Sequence, residues 1–103
     1  MGNGPIQVIN TFTIKAGMID DFVAVQLEAR ELLFSRVAGL RGSRLHRALD
    51  GSTAVLIAVF DTVEDSERFQ QSEMFAAHRE RLRPFIDGAS PGIYELAYEF
   101  GNA

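Results

Sequence analysis

The 103-residue sequence contains no cysteine, no tryptophan and only two histidines. The lack of cysteine excludes disulfides, zinc–thiolate centres and thiol nucleophiles, and it is compatible with a reducing compartment. No apolar run reaches membrane-spanning length, and the opening MGNGPI lacks the basic and apolar regions of a signal peptide. We therefore expect a cytoplasmic protein that does not bind membranes.

Basic residues are also scarce for a protein that binds nucleic acid. Ten Lys and Arg stand against fourteen Asp and Glu, so the net charge of −4 has the wrong sign for gripping phosphate backbones. The local cluster of Arg44, His46 and Arg47 favours a solvated patch or the rim of a dimer. The two histidines are distant and have no carboxylate at a ligand spacing, so no metal site is predicted.

Hydrophobic residues, by contrast, make up 47% of the chain, which is enough for one compact domain. We assign residues 1–103 to this single domain, with a core from about 6 to 100. A domain of this size buries a modest fraction of its unfolded surface. Oligomerisation is therefore an expected source of additional stability.

Hydrophobic periodicity divides the chain into six main elements. Alternation of side chains predicts a strand in IQVINTFTI, and the Asp50-Gly51 hairpin turn joins two further predicted strands, SRLHRAL and TAVLIAVF. A long helix follows from apolar residues at three- and four-residue spacing between Phe22 and Val37. Thr62 and Ser72 are predicted to start two further helical pieces, the second of which ends near Pro84. The segment DGASPG is then predicted to form a loop, and residues 93–100 are predicted to form the last strand.

The resulting order, β-α-β-β-α-β, predicts an α+β, ferredoxin-like domain with an antiparallel sheet and its helices on one face. The strand TAVLIAVF is apolar on both sides, although helices cover only one face of the sheet. The other face needs a second layer, and the same sheet from another copy would supply it. We therefore expect a homodimer that packs through its sheet faces.

Two polar side chains are predicted to point into the interior. His78 shares its helix side with Phe75, Leu82 and Ile86, and Asn10 interrupts an otherwise apolar strand face. Both could be structural residues that bond to the backbone or to the core. Alternatively, both could point into one ligand cavity between the sheet and the helices. The aromatic residues predicted to line that cavity are Phe12, Phe60, Phe69 and Phe75.

Several segments resemble the antibiotic biosynthesis monooxygenase superfamily over nearly the whole chain. They are VINTFTIKAG with DDF, GLRGSRLHRALDG, VFDTVEDSERF, SEMFAAH and YELAYEF. The resemblance implies a dimeric α+β barrel. It also implies oxidation of a small aromatic or quinol-type molecule by dioxygen without an added cofactor. In that reaction His78 would take a phenolic proton and Asn10 would bind the substrate oxygen.

Two other functions remain open. The haem-degrading branch of the superfamily has Asn, Trp and His residues that correspond to Asn10, Phe69 and His78, so the Trp is replaced here and haem is the lower-ranked alternative. The third possibility is a non-catalytic dimer that binds a small ligand. Fold alone does not choose among these functions.

Overall fold

The computed structural model describes residues 4–102, which form a four-stranded antiparallel sheet with all helices on one face. The strand order in the sheet is β2-β3-β1-β4. This arrangement confirms the predicted ferredoxin-like α+β fold. The elements in chain order are β1 (Ile6–Ile14), α1 (Ile19–Phe34), β2 (Leu40–Arg47), β3 (Thr53–Phe60), α2 (Val63–Gln70), α3 (Glu73–Leu82), a 3₁₀ turn (Arg83–Phe85) and β4 (Ile86–Tyr94).

The predicted helix starts are confirmed at both Thr62 and Ser72. The Thr62 side chain accepts a hydrogen bond from the backbone N–H of Asp65, and the Ser72 side chain accepts one from Phe75. These bonds satisfy N–H groups that have no partner within the first helical turn. Pro84 then ends α3 in a single 3₁₀ turn, because its ring cannot continue the helical hydrogen bonds.

The Asp50-Gly51 turn between β2 and β3 is also present. Gly51 has a φ of 77°, a conformation that costs glycine little because it has no Cβ. The Asp50 carboxylate accepts hydrogen bonds from both the backbone N–H and the hydroxyl of Ser52. These two bonds lower the pKa of Asp50, the side-chain bond contributing most.

The predicted position of the last strand is wrong. Residues 86–94, which include the segment predicted to be a loop, pair with β1 from Ile14↔Ile86 to Gln7↔Tyr94, and residues 95–100 lie outside the sheet. Because β4 is an edge strand, Pro91 can be tolerated there despite its missing N–H. The glycine, serine and proline residues of DGASPG favour a loop locally, but backbone pairing with β1 holds this segment as a strand.

The strand register assigns every sheet residue to a face. Asn10 and Phe12 pair with Leu56 and Ala54, and all four lie on the face that the helices cover. The opposite face, which we call the open face, is apolar at its centre. It is formed by Ile9, Thr11, Val55, Ile57 and Val59, with Arg44 and His46 of β2 beside them.

The core lies between the sheet and the helices, near the end of β1. The Phe22 ring of α1 is fully buried and packs at 5.0 Å from the Phe12 ring of β1. Ile14, Ala54 and Leu82 complete this buried cluster. The Phe12–Phe22 contact therefore fixes α1 over β1.

We predict that Phe22→Ala will lower the free energy of unfolding by about 3–5 kcal/mol, because it removes a buried ring and leaves a cavity. Leu49→Ala is the control, since Leu49 is fully exposed and its truncation should change stability by no more than about 0.5 kcal/mol. Urea unfolding of both variants at one protein concentration measures the difference. Equal effects of the two substitutions would contradict this description of the core.

Candidate functional site

Three layers of side chains follow one another along β1 between the sheet and the helices. At one end is the core layer of Phe12, Phe22 and Leu82. At the other end is the phenylalanine layer, where Phe69 packs at 5.9 Å from Phe60 and at 5.2 Å from Phe75, measured between ring centroids. Phe60 pairs with Ile6, about 20 Å along β1 from Phe12. The structure therefore brings together three of the four predicted phenylalanines, while Phe12 packs in the core.

The polar layer lies between these two and consists of Asn10, Gln26 and His78. Asn10 precedes Phe12 by two residues on β1, and Gln26 follows Phe22 by four residues on α1. Because α1 turns back over β1, both steps lead away from the Phe12–Phe22 contact in one direction by about 6–7 Å. His78 joins the layer through a hydrogen bond to Gln26.

The His78–Gln26 hydrogen bond connects α3 to α1. His78 Nε2 lies 2.7 Å from Gln26 Oε1, so the ring N–H donates to the amide oxygen. In a neutral imidazole this leaves Nδ1 without a proton and able to accept one. Arg81 and Glu28 form a second link between the same helices, an exposed ion pair of 2.7 Å.

The electrostatic surroundings of His78 favour its neutral form. Burial lowers the pKa of His78 below its ordinary value of 6.5, and the positive charge of Arg81 lowers it further. Near neutral pH the ring is therefore uncharged and can act as a base. Its partner Gln26 adds no charge that would oppose this effect.

Two polar atoms of this layer are buried without a hydrogen-bond partner among the described residues. They are Asn10 Oδ1 and Gln26 Nε2. The sheet neighbours of Asn10 on the same face are Leu56 and Pro91, which have no polar side-chain atom. A buried polar atom without a partner costs about 1–3 kcal/mol, so the layer is arranged at a cost to stability.

A groove of about 200 Å³ reaches one edge of the phenylalanine layer. Phe69 contributes to its wall together with Ser72 and Met74, and Arg36 and Arg68 lie at its rim. Arg79 lies over the Phe75 ring, 5.4 Å from its centroid. A larger pocket of about 300 Å³ lies at the β2–β3 hairpin and is lined by other residues, including the ion-paired Arg47 and Asp20.

Gln26 was missed in the sequence analysis, although the signal that identified His78 was present for it too. Gln26 follows Phe22 by four residues and precedes Ala29 by three, so it falls within the apolar stripe of α1. It is 9% exposed. The roles predicted for His78, Asn10 and the phenylalanines remain predictions, and Gln26 is added to the candidate site.

The structure also bears on the basic cluster of β2, on metal binding and on membrane spans. Arg44 and His46 lie on the open face and Arg47 lies on the other, so the basic cluster is split between the faces of β2. Among residues 4–102, no group of three or more His, Asp or Glu is placed to hold a metal ion. No helix in the same range has the length and apolarity needed to cross a membrane.

Comparison with known proteins identifies the family. The family model described as "Antibiotic biosynthesis monooxygenase" matches residues 5–81, so the chain belongs to this family. The structural relatives extend this similarity to nearly the whole chain. Among curated proteins, no sequence matches this chain.

The similar solved structures include a proposed antibiotic biosynthesis monooxygenase from Bordetella bronchiseptica. It is 26% identical, with a TM-score of 0.83, and the match covers 92% of this chain and 99% of that one. SnoaB from Streptomyces nogalater, a cofactor-independent oxygenase, is 23% identical with a TM-score of 0.80 over 93% of this chain and 96% of its own. A protein from Nitrosomonas europaea is 16% identical, with a TM-score of 0.80 and coverage of 98% and 97%. The family and the fold are thus those of monooxygenases.

We predict that His78 makes stability depend on pH on the acidic side. Below about pH 6.5 the unfolded chain binds a proton at this ring, whereas the folded protein, with its lowered pKa, does not. Stability should therefore fall as the pH decreases from 6.5 through the folded pKa. In His78→Gln, thermal midpoints measured between pH 7 and pH 5 should fall less steeply than in the wild type.

The control for this prediction is Arg30→Gln, which removes an exposed charge on α1 and leaves both His78 and the open face unchanged. It should retain the steep acidic fall of the wild type. Identical pH profiles for the wild type and His78→Gln would show that the His78 pKa is not lowered by folding.

Proposed function

We propose that this protein is a cofactor-independent monooxygenase that oxidises a small phenolic or quinol-type aromatic molecule with dioxygen. The observation that supports this proposal is the polar layer, in which a half-buried histidine and two buried, unpaired amide atoms lie between the core and a cluster of three phenylalanine rings. Aromatic rings bind a flat apolar ligand, and a few polar groups orient it. Membership of the monooxygenase family supports the oxygen chemistry.

In the proposed reaction, His78 acts as the general base. Its Nε2 is occupied by the bond to Gln26, so Nδ1 receives the proton. The substrate O–H bond breaks, an N–H bond forms at Nδ1, and the electron pair stays on the substrate as an electron-rich anion. Asn10 would orient the substrate by accepting, at Oδ1, a hydrogen bond from a second hydroxyl of the substrate.

The oxidation balances without an external reductant. For an anthrone-type substrate, the ring CH₂ group becomes a carbonyl, one atom of dioxygen enters the product, and the other leaves as water with the two hydrogens of that group. The substrate therefore supplies all the electrons. SnoaB, which shares the fold, is described as cofactor-independent.

Haem fits these residues less well than an aromatic substrate does. The Nε2 atom of His78 already donates to Gln26, and Phe69 is held between the Phe60 and Phe75 rings. Iron coordination through Nε2 would require that the hydrogen bond break and that the ring lose its Nε2 proton, and coordination through Nδ1 would occupy the nitrogen that acts as the base. We therefore derive no step through haem.

The open face and the C-terminal segment support a homodimer as part of the same proposal. The open face has Ile9, Val55, Ile57 and Val59 at its centre, and no helix among residues 4–102 covers it. Beyond β4, the alternating residues Leu96, Tyr98 and Phe100 are 61%, 82% and 87% exposed. We propose that two copies pack through their open faces and that this segment of each extends along its partner, which would bury these side chains.

We predict that His78→Ala will lower kcat/KM for an anthrone or phenolic substrate by about 10²–10⁴-fold, the usual effect of losing a general base. Asn10→Ala should also lower kcat/KM, because it removes the group that orients the substrate. Oxygen consumption, corrected for the spontaneous rate, measures both effects per folded molecule, and Arg30→Ala, a change at an exposed residue of α1, should react at the wild-type rate. Full turnover in His78→Ala would remove this residue from the mechanism, and ligand binding without oxygen uptake in the wild type would indicate a non-catalytic binding protein.

We predict that sedimentation will report a dimer, about twice the 11.4 kDa of one chain. Ile57→Asp should dissociate it, because an unpaired charge would be buried between the two sheets. Leu32→Asp is the matched control, since Leu32 is 48% exposed on α1 and lies away from the open face, and it should remain dimeric. A monomeric wild type at micromolar concentration would contradict packing through the open faces.

A further inference from the structure

Gln26 combines two features that no other described side chain shares. It is 9% exposed in the interior, and its amide is only half satisfied, because Oε1 accepts from His78 while Nε2 has no partner. The other buried polar residue among those described is Ser66, whose hydroxyl donates to the Val63 carbonyl within its own helix. A structural role therefore accounts for Ser66 but leaves half of Gln26 unexplained.

Apolar side chains surround Gln26 along its own helix. Phe22, one turn before it, packs against Phe12, and Ala29, nearly one turn after it, is buried. An apolar side chain of similar size would satisfy the packing at this position and would avoid the cost of an unpaired N–H. The amide at position 26 thus suggests a partner outside the chain.

The unpaired atoms of Gln26 and Asn10 have opposite hydrogen-bonding character. Gln26 Nε2 is a donor and Asn10 Oδ1 is an acceptor, yet they do not bond to each other. A molecule in the polar layer that presents an oxygen to Gln26 and an O–H to Asn10 would satisfy both. A molecule without oxygen would satisfy neither.

We propose that Gln26 is a ligand-binding and positioning residue: its Nε2 donates a hydrogen bond to an oxygen of the aromatic ligand, and its Oε1 holds His78 with the proton on Nε2. This inference rests on the proposed aromatic ligand of the site. Donation to a carbonyl oxygen conjugated with the phenolic group stabilises the anion that forms when His78 takes the proton, because negative charge spreads onto that acceptor and strengthens the bond. One amide thereby fixes the tautomer of the base and orients the ligand.

Two substitutions distinguish the hydrogen-bond acceptor of the Gln26 amide from its hydrogen-bond donor. Gln26→Met has a similar length and no hydrogen-bonding amide, so it removes both the bond to His78 and the donor to the ligand. Gln26→Glu keeps oxygen acceptors for the His78 N–H but has no amide N–H. Thermal unfolding of each variant identifies the folded protein used in the assays.

The binding test uses hydroxyanthraquinone, which has both a hydroxyl and carbonyls, and anthracene, which has a similar shape and no oxygen. We expect both Gln26 variants to bind hydroxyanthraquinone about tenfold more weakly than the wild type, the loss that corresponds to a buried hydrogen bond of about 1.4 kcal/mol. Affinity of Gln26→Met for anthracene should stay within about twofold of the wild type, because that contact needs no donor. Absorbance or fluorescence titration measures both ligands.

The positioning role has a separate readout. Nitrogen NMR shifts of His78 should report the Nε2–H tautomer in the wild type and a mixture of tautomers in Gln26→Met, whereas the carboxylate of Gln26→Glu should keep a proton on Nε2 and raise the His78 pKa. A purely structural role for Gln26 would leave the tautomer unchanged. An Nδ1–H tautomer in the wild type would overturn the assigned direction of the His78–Gln26 bond.

The outcomes also distinguish this inference from the proposed function. Hydroxyanthraquinone is already oxidised, so its binding needs no turnover, and its dependence on Gln26 would support the inference even without oxygen uptake. Oxygen uptake that is equal in the wild type and Gln26→Met would overturn the role of Gln26 and leave the monooxygenase proposal in place. Equal loss of both ligands in Gln26→Met, or a wild type that binds hydroxyanthraquinone no better than anthracene, would also overturn it.

Discussion

The hydrogen bond between His78 and Gln26 is the interaction on which the arrangement of the site depends. It crosses from α3 to α1 at a partly buried position, where water competes less than at the surface. It selects the ring nitrogen that carries the proton, and the bond geometry requires both helices to keep their positions. The apolar layers on either side provide that rigidity: Phe22 fixes α1 over β1, and Leu82 anchors the end of α3.

The space between the sheet and the helices contains polar side chains at positions where proteins usually have apolar ones. Asn10 Oδ1 and Gln26 Nε2 each lack a partner, and burial penalises the charged form of His78. Each of these features lowers stability, yet they lie together in one layer rather than scattered through the core. Such clustering of unfavourable polar burial is typical of binding and catalytic sites, where stability is given up for recognition or chemistry.

The two faces of the sheet have different surroundings. The covered face supports the polar layer, whereas the open face is apolar and is covered by no helix within the described part of the chain. A small domain gains stability by sharing such a face with a second copy, and the exposed residues beyond β4 add to the apolar surface available. Assembly and ligand binding would then use opposite faces of the same strands.

The sequence by itself determined the element types, their order and the inward positions of His78 and Asn10, because hydrophobic periodicity and helix-capping residues act over a few neighbouring residues. It placed β4 wrongly, because the edge strand around Pro91 is held by pairing with β1 and not by local preference. Only the tertiary structure decided which phenylalanines meet, and it separated Phe12 from the other three. It also decided the partner of His78, because Gln26 is 52 residues away and a contact between distant segments depends on how the helices pack.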